Sequence, residues 1–245
     1  MEPEGPAFYS DPRGYTFSGP TLLHMKIYCL NLKRAGERRA RITQDWMNEK
    51  GFSIEFFPAF DRREVEHGAG LPFAYDDAAT RSRINRSLTS GEIACSISHA
   101  LLLQHALDAG HEEIIVMEDD VLPVDSTSPE KAVTAVRSAQ KAFPAVSVLL
   151  MHEATSAVDV RASHDEIKLL RRAPYGFRFV WLNRKAIKIL INDLSRLLYP
   201  ADWFWSLRFA PMRTVALLDP PLCVHAETDT FIGNAYRQDQ RKFIP

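Results

Sequence analysis

Three consecutive acids, Glu118-Asp119-Asp120, close the apolar run Ile114-Ile115-Val116-Met117. An apolar run that stops at carboxylates reads as a buried strand delivering acids to the C-terminal edge of a sheet, where open α/β folds bind ligands. Strand side chains alternate faces, so Glu118 and Asp120 are expected to converge on one spot while Asp119 points the other way. Two hard oxygen donors on one spot suit Mg²⁺ or Mn²⁺. A second concentration of chemistry follows the first apolar segment, where Arg34, Arg38, Arg39 and Arg41 crowd together. A strand, a short turn and an arginine-bearing helix start can hold a diphosphate through backbone N–H groups and guanidinium forks, and the same arginines would equally make a solvated basic face.

Other residues are ambiguous in the same way. Asp61 ends the segment Phe52 to Phe60, about 30 residues after the end of the first strand, where a carboxylate could accept from a ribose or a base, or simply cap a helix. Glu92, Ser96 and His99 share one helical face. Glu92 also suits a reciprocal cap, since Thr89-Ser90-Gly91-Glu92 has the spacing of a capping box, and His99 suits a hydrogen-bonded, partly buried histidine. Asp202 stands in Ala201-Asp202-Trp203-Phe204-Trp205, a carboxylate among aromatics that fits a sugar-binding surface or plain core.

The elements that must position these groups follow from pattern. Met25 to Leu32 reads as a mostly apolar first strand, Lys33 to Lys50 as a helix with Ile42, Trp46 and Met47 inward, and Gly51 as its C-cap. Phe52 to Phe60 is a second strand and residues 62–88 a long irregular connection. Ile93 to Leu107 continues the capped helix, and Asp108-Ala109-Gly110 ends it just before the acidic strand. Helix and strand should therefore lie antiparallel, with the helix start beside the acids. Pro129 to Phe143 is a helix, Val146 to Met151, Ile167 to Leu170, Phe177 to Leu182 and Thr214 to Leu218 are strands, and Arg184 to Leu198 is a helix stopped by Pro200. Residues 154–165 carry no period, and the polar stretch from Cys223 reads as a loop over the site. Residues 1–24, rich in Pro and Gly, read as a leader outside the fold, leaving residues 25–245 as one domain.

Composition narrows the function classes. Thirty basic against 31 acidic residues give a net charge of −1, so no global field favours nucleic acid as a partner. Cys29, Cys95 and Cys223 are widely spaced, without a Cys-x-x-Cys pair, which signals neither a disulfide framework nor a zinc knuckle and points to a reducing, cytoplasmic setting. No apolar run approaches the ~18 residues that span a bilayer, so membrane work would be peripheral. Neither a P-loop nor a Gly-x-Gly-x-x-Gly fingerprint is present.

Four blocks, taken together, resemble the family 25 glycosyltransferases, which include bacterial lipooligosaccharide galactosyltransferases and the collagen galactosyltransferases. Ile27 to Leu32 with Arg34, Arg38 and Arg39 is similar to the family's I-x-L-x-R-x-x-x-R opening, and Phe57-Pro58-Ala59-Phe60-Asp61 to the A-x-D that follows. Gly91-Glu92-Ile93-Ala94-Cys95-Ser96-Ile97-Ser98-His99 is similar to the G-E-x-G-C-x-x-S-H helix start, the most specific of the four, and Ile115 to Asp120 resembles the L-E-D-D strand. Weaker echoes run through Gly176 to Ala186, where Phe177, Phe179 and Val180 depart from the family's small and tyrosine positions. Pro200-Ala201-Asp202 and Thr230 to Gly233 echo the family's P-x-D and its final S-D-I-G.

The resemblance implies an α/β, GT-A (Rossmann-like) fold, a mixed central sheet flanked by helices, with a UDP-sugar donor, UDP-galactose or UDP-glucose, and a divalent cation. It implies Asn31, Arg34, Arg38 and Asp61 on the nucleotide side, Ser98 and His99 beside the donor, Glu118 and Asp120 at the cation, and Asp202 on the acceptor side. Inverting transfer to a glycan hydroxyl, such as one on a lipid-linked lipooligosaccharide, needs one base within reach, and Asp202 is the candidate, with Asp119 or Glu92 behind it. His225 would complete the cation's shell. Two other classes stay open at this point. One is a metal-dependent nucleotidyltransferase or phosphohydrolase, against which the missing phosphate loop counts. The other is a nucleotide-sugar-binding module without turnover.

Overall fold

A computed structural model describes residues 25–67, 70–154, 157–203 and 215–226. The expected leader, residues 1–24, and the Thr230 to Gly233 echo lie outside the described residues.

Strand β1, Lys26–Asn31, buries Ile27, Tyr28, Cys29 and Leu30 and is flanked on both sides by parallel partners. On one side lies β2, Ile54–Pro58, with Asn31 opposite Pro58; on the other lies β3, Glu113–Glu118, with Leu30 opposite Glu118. Parallel pairing brings the C-terminal ends of all three strands to one edge. Because the chain leaves β1 for β2 on one side and reaches β3 on the other, the gap above β1 and β3 is a topological switch point, the usual ligand crevice of such sheets.

Helix α1, Gly36–Ile42, leads from β1 toward β2 and runs on into a π-helical stretch, Thr43–Asn48. It starts later than the expected Lys33, and Ala35 at its N-cap makes no side-chain cap bond. Gly51, at φ +75, takes the left-handed conformation that glycine adopts without steric cost. Trp46 in the π stretch is fully buried and donates from Nε1 to the Val121 carbonyl, locking this helix to the chain just past the acids.

Residues 62–88 are not the irregular connection expected. They hold α2, Arg62–Glu66, and α3, Asp77–Ile84. Both start at aspartates, Asp61 and Asp76, whose carboxylates accept helix N–H groups, so residues that looked like loop punctuation act as caps. Helix α4, Ser90–Asp108, opens with the expected capping box: Thr89 Oγ1 accepts the Glu92 N–H and Glu92 Oε2 accepts the Thr89 N–H.

Downstream come β4 (Val121–Pro123), α5 (Pro129–Ala142), β5 (Val148–Leu150), β6 (Val160–His164), β7 (Ile167–Leu170) and β8 (Phe179–Asn183). Helix α6 (Arg184–Leu194), β9 (Val215–Leu218) and β10 (Cys223–His225) follow. The main sheet has eight strands in the order β2-β1-β3-β8-β5-β9-β7-β6 and mixes parallel with antiparallel pairs. Tyr28, Leu30, Ile114 and Val116 cluster with α4 and α6 residues such as Leu102, Leu103, Ile187 and Leu190. Ile27, Cys29, Ile115 and Met117 cluster with Ile42, Trp46, Val136 and Ala139 of the α1 and α5 side. That alternation gives the mixed central sheet flanked by helices that the family resemblance implies.

Three further elements depart from expectation. The 154–165 stretch contains β6, a polar edge strand that only its hairpin with β7 stabilises. Cys223–His225, expected as loop, forms a strand antiparallel to β4, a long-range pairing of three-residue segments too short to show a period. Helix α6 ends at Leu194, short of the expected Leu198, as Leu197 turns to φ +48 before Pro200.

Candidate active site

A cleft lies at the switch point, lined by Leu30 and Leu32 at the end of β1, Phe60 and Asp61 after β2, Cys95, Ser98 and His99 on α4, and Glu118, Asp119 and Asp120 at the end of β3. Glu118 is the last residue of β3. Its Oε1 lies 3.1 Å from His99 Nε2, and the fully buried His99 ring packs on Phe177 with centroids 4.2 Å apart. Cys95, one turn before His99, brings its Sγ within 4.8 Å of the same imidazole and carboxylate donors. Burial, reinforced by the Glu118 and Asp202 charges, pushes the Cys95 thiol well up, so it stays protonated.

The geometry expected for the next two acids does not hold as stated. The strand ends at Glu118, and Asp119-Asp120 form a turn into β4, so turn geometry rather than strand alternation aims them. Asp119 turns toward β1 and α1: its carboxylate accepts Asn31 Nδ2 at 2.7 Å and Arg38 Nη1 at 2.8 Å, and its carbonyl accepts Arg41 Nη2 at 3.1 Å. Burial raises its pKa in spite of these two donors. Asp120 turns toward β10, with Oδ2 3.3 Å from His225 Nε2. Burial alone would raise its pKa, but the hydrogen bond and charge of His225, then Arg178 and Arg38, outweigh it and hold the carboxyl below the usual range. Asp120 Oδ1 is buried without a partner. His225 is itself fixed by its backbone N–H, which donates to Glu153 Oε1.

The remaining expected residues have defined places. Arg34 Nε lies 2.6 Å from Asp61 Oδ2 and is the main cause holding the Asp61 carboxyl below its ordinary value. Arg34 and Arg38, expected at a diphosphate, thus each already hold a carboxylate at the cleft. Ser98 Oγ accepts the Phe60 N–H and donates to the Ala94 carbonyl, clipping the end of β2 onto α4. Glu92 is 3% exposed and doubly bound by Arg86, at 2.7 and 2.8 Å, besides closing the capping box. Asp202 sits in a 3₁₀ turn, Ala201–Trp203, next to the Tyr175–Trp203 aromatic pair. Its carboxyl is pushed up to about 7, first by burial, then by the Glu118 and Glu92 charges, with Arg178 pulling the other way.

Sequence reasoning missed Arg86 and Arg178. Arg178 left a signal, a lone charge between Phe177 and Phe179 in an otherwise apolar strand segment, since charges are rarely placed there without a task. Among the described residues the ligand atoms of Cys95, His99 and Glu118 lie within 4.8 Å of one another, and Asp120, with one buried oxygen free of hydrogen bonds, also lines the cleft; the carboxylates are hard donors of the kind a divalent ion takes.

Residues 24–205 match the sequence model of Glycosyltransferase family 25 (LPS biosynthesis protein). The lacto-N-neotetraose biosynthesis glycosyltransferase LgtB of Neisseria meningitidis is 29% identical over 213 residues, 81% of this chain and 74% of that protein. A glycosyltransferase 25 family member of Aedes aegypti is 35% identical over 101 residues, 39% of this chain and 16% of that protein, so the chain spans a minor part of that longer relative. Among solved structures, a glycosyltransferase involved in glycosylation of the major capsid of PBCV-1 aligns over 84% of this chain and 94% of its own, at 12% identity and a TM-score of 0.46.

Proposed function

This chain belongs to glycosyltransferase family 25, and from that premise we propose that it transfers a hexose, galactose or glucose, from a UDP-sugar to a glycan hydroxyl with inversion at the anomeric carbon. The observation that supports the reading is the cleft at the switch point, lined by Glu118 and by Asp120 with its unpaired buried oxygen, together with Asp202, whose carboxyl is pushed up to about 7 by burial and then by the Glu118 charge. The first suits a charged leaving group and the second suits a base poised near neutrality.

Glu118 and Asp120 would hold Mn²⁺ or Mg²⁺, with His225 bracing Asp120 from β10. When bound, the cation supplies positive charge against the departing diphosphate. Arg34 and Arg38 stand at the mouth of the nucleotide side, where their guanidinium groups, oriented by Asp61 and Asp119, add to that charge. Asn31 holds Asp119, Ser98 lines the cleft, and His99 fixes the Glu118 carboxylate. Asp202 takes the proton from the acceptor hydroxyl as its oxygen attacks the anomeric carbon and the bond to the UDP oxygen breaks. Asp119 and Glu92 are less available to an acceptor hydroxyl, because each carboxylate is already held by a guanidinium, Arg38 or Arg86. The acceptor we propose is a lipid-linked glycan of the lipooligosaccharide type, which the family's description as an LPS biosynthesis protein supports, met at the cytoplasmic face of the inner membrane. No helix among the described residues is long and apolar enough to cross a membrane.

The test is a donor screen by thermal shift, with and without Mn²⁺. A ligand at 100 times its dissociation constant stabilises by about 2.7 kcal/mol, so the true donor declares itself as a Mn²⁺-dependent rise in melting temperature. UDP-galactose or UDP-glucose is expected to give it; no response to any UDP-sugar overturns the proposal.

A further inference from the structure

Helix α4 carries Cys95 and His99 four residues apart, a spacing that stacks two side chains on one helical face. Glu118 closes β3 opposite that face, with Oε1 3.1 Å from His99 Nε2. A thiol, an imidazole and a carboxylate therefore converge, no two of their ligand atoms more than 4.8 Å apart, and all three residues line the cleft. Cys29 and Cys223 are buried elsewhere in the core, so Cys95 is the cysteine that the cleft reaches.

The spacing suits a small ion. Two ligand atoms about 2.0–2.1 Å from a tetrahedral ion stand roughly 3.3 Å apart, close to the 3.1 Å between His99 and Glu118. A thiolate, at about 2.3 Å from the ion, needs roughly 3.5 Å to its neighbours, a closure within reach of side-chain rotation at Cys95. His99 is free to serve. Its ring is fully buried and Nδ1 has no hydrogen-bond partner, so nothing holds the ring hydrogen on one nitrogen. The hydrogen can pass to Nδ1, and an ion then replaces the Nε2–H between the imidazole and Glu118.

Donor chemistry selects the ion. Mg²⁺ and Mn²⁺ favour oxygen donors, whereas a set of sulfur, nitrogen and oxygen suits Zn²⁺, which also stands well above Mn²⁺ in intrinsic affinity for such sites. Three protein ligands leave the fourth tetrahedral corner to water from the cleft.

We propose that Cys95, His99 and Glu118 form a Zn²⁺ site that shares only Glu118 with the Glu118–Asp120 cation position. As the ion binds, the Cys95 S–H bond breaks, the sulfur pair forms the Zn–S bond and the proton leaves to solvent. Zn²⁺ held there draws on the Glu118 charge and places a second dication beside the first position, so it weakens Mn²⁺ binding and inhibits transfer. Zn²⁺ binding is independent of the glycosyl-transfer reading, whereas the inhibition rests on it.

The experiment titrates the full chain with Zn²⁺ by calorimetry without donor, and with Co²⁺ as a spectroscopic substitute. One Zn²⁺ per chain is expected, and Co²⁺ should give the near-ultraviolet charge-transfer band of a thiolate ligand, which Zn²⁺ then abolishes. Cys95→Ser should lose the band and bind Zn²⁺ at least ~10-fold more weakly, with a much smaller change in Mn²⁺ affinity. Should Cys95→Ser fail to fold by circular dichroism, His99→Gln carries the Zn²⁺ comparison and the wild-type Co²⁺ band still reports the thiolate. A wild type without the band, or equal Zn²⁺ affinity in the variant, overturns the site. Saturating Zn²⁺ should also suppress the Mn²⁺-dependent thermal shift given by the UDP-sugar. A wild type that binds Zn²⁺ through Cys95 but responds to no UDP-sugar keeps the Zn²⁺ site and overturns the glycosyl-transfer reading, whereas a donor response that Zn²⁺ leaves untouched overturns the inhibition alone.

Discussion

Arg38 Nη1 stands 2.8 Å from Asp119 Oδ1, joining α1 to the turn after β3 across 81 residues of chain. The two side chains are only 13% and 10% exposed, and the other Asp119 oxygen is held by Asn31. One acid thereby ties together the end of β1, the arginine-bearing helix and the turn that presents Asp120. Its work is to shape the cleft.

Asp119→Ala is accordingly expected to act on stability. It removes the carboxylate that a nearly buried guanidinium and a buried amide share, which costs about 3–5 kcal/mol. Urea denaturation followed by circular dichroism measures it. Asp120→Asn should change the urea midpoint far less while weakening Mn²⁺ binding at least ~10-fold by calorimetry, and equal effects of the two substitutions would contradict this division.

Asp202 sets a pH dependence. A base must be ionised, and with its carboxyl pushed up to about 7, kcat/KM should rise with pH through about 7 and level off above it. Burial is the first cause of that rise and the Glu118 charge the second, so a cation bound at Glu118 should move the limb toward lower pH. Asp202→Asn should remove the limb and lower kcat by about 10²- to 10⁴-fold. A limb that survives in Asp202→Asn would assign the base elsewhere.

Folding stability should respond to the same group in the opposite sense. Because the folded-state pKa of Asp202 lies above its unfolded value, the folded chain binds its proton more tightly between about pH 4 and 7. The Asp202 contribution to stability is therefore present at the acid end of that window and declines as pH rises through about 7. Comparing urea midpoints of wild type and Asp202→Asn across the window isolates the slope.

Arg86 and Glu92 form a buried pair at the start of α4. Arg86→Met strips the partner from a carboxylate that is 3% exposed and should cost about 3–5 kcal/mol, while Thr89→Ala, losing one cap acceptor, should cost about 1 kcal/mol. Lys26→Ala is the control, since the Lys26–Glu55 pair is half exposed on both sides and should contribute under about 1 kcal/mol, less in high salt. A scan of melting temperatures that ranks the three otherwise would count against this account.

The sequence by itself determined what local chemistry writes down. Apolar runs gave β1, β3, β7 and β9, the Thr89–Glu92 spacing gave the capped start of α4, and the acids closing an apolar run marked where ligands would meet the sheet. It misjudged the 62–88 stretch because an aspartate reads alike as a loop residue or a cap until its N–H partners exist, and it missed β6 and β10 because short or polar strands owe their stability to partners distant in the chain. Tertiary structure alone decided how the three acids divide their work. Strand periodicity stops at Glu118, where the strand stops, and from there Asp119 and Asp120 turn toward whichever donors lie near: Asn31 and Arg38 on one side, His225 on the other. Hydrogen-bond partners across a fold are set by where the strands lie in the sheet, and no local spacing encodes that order.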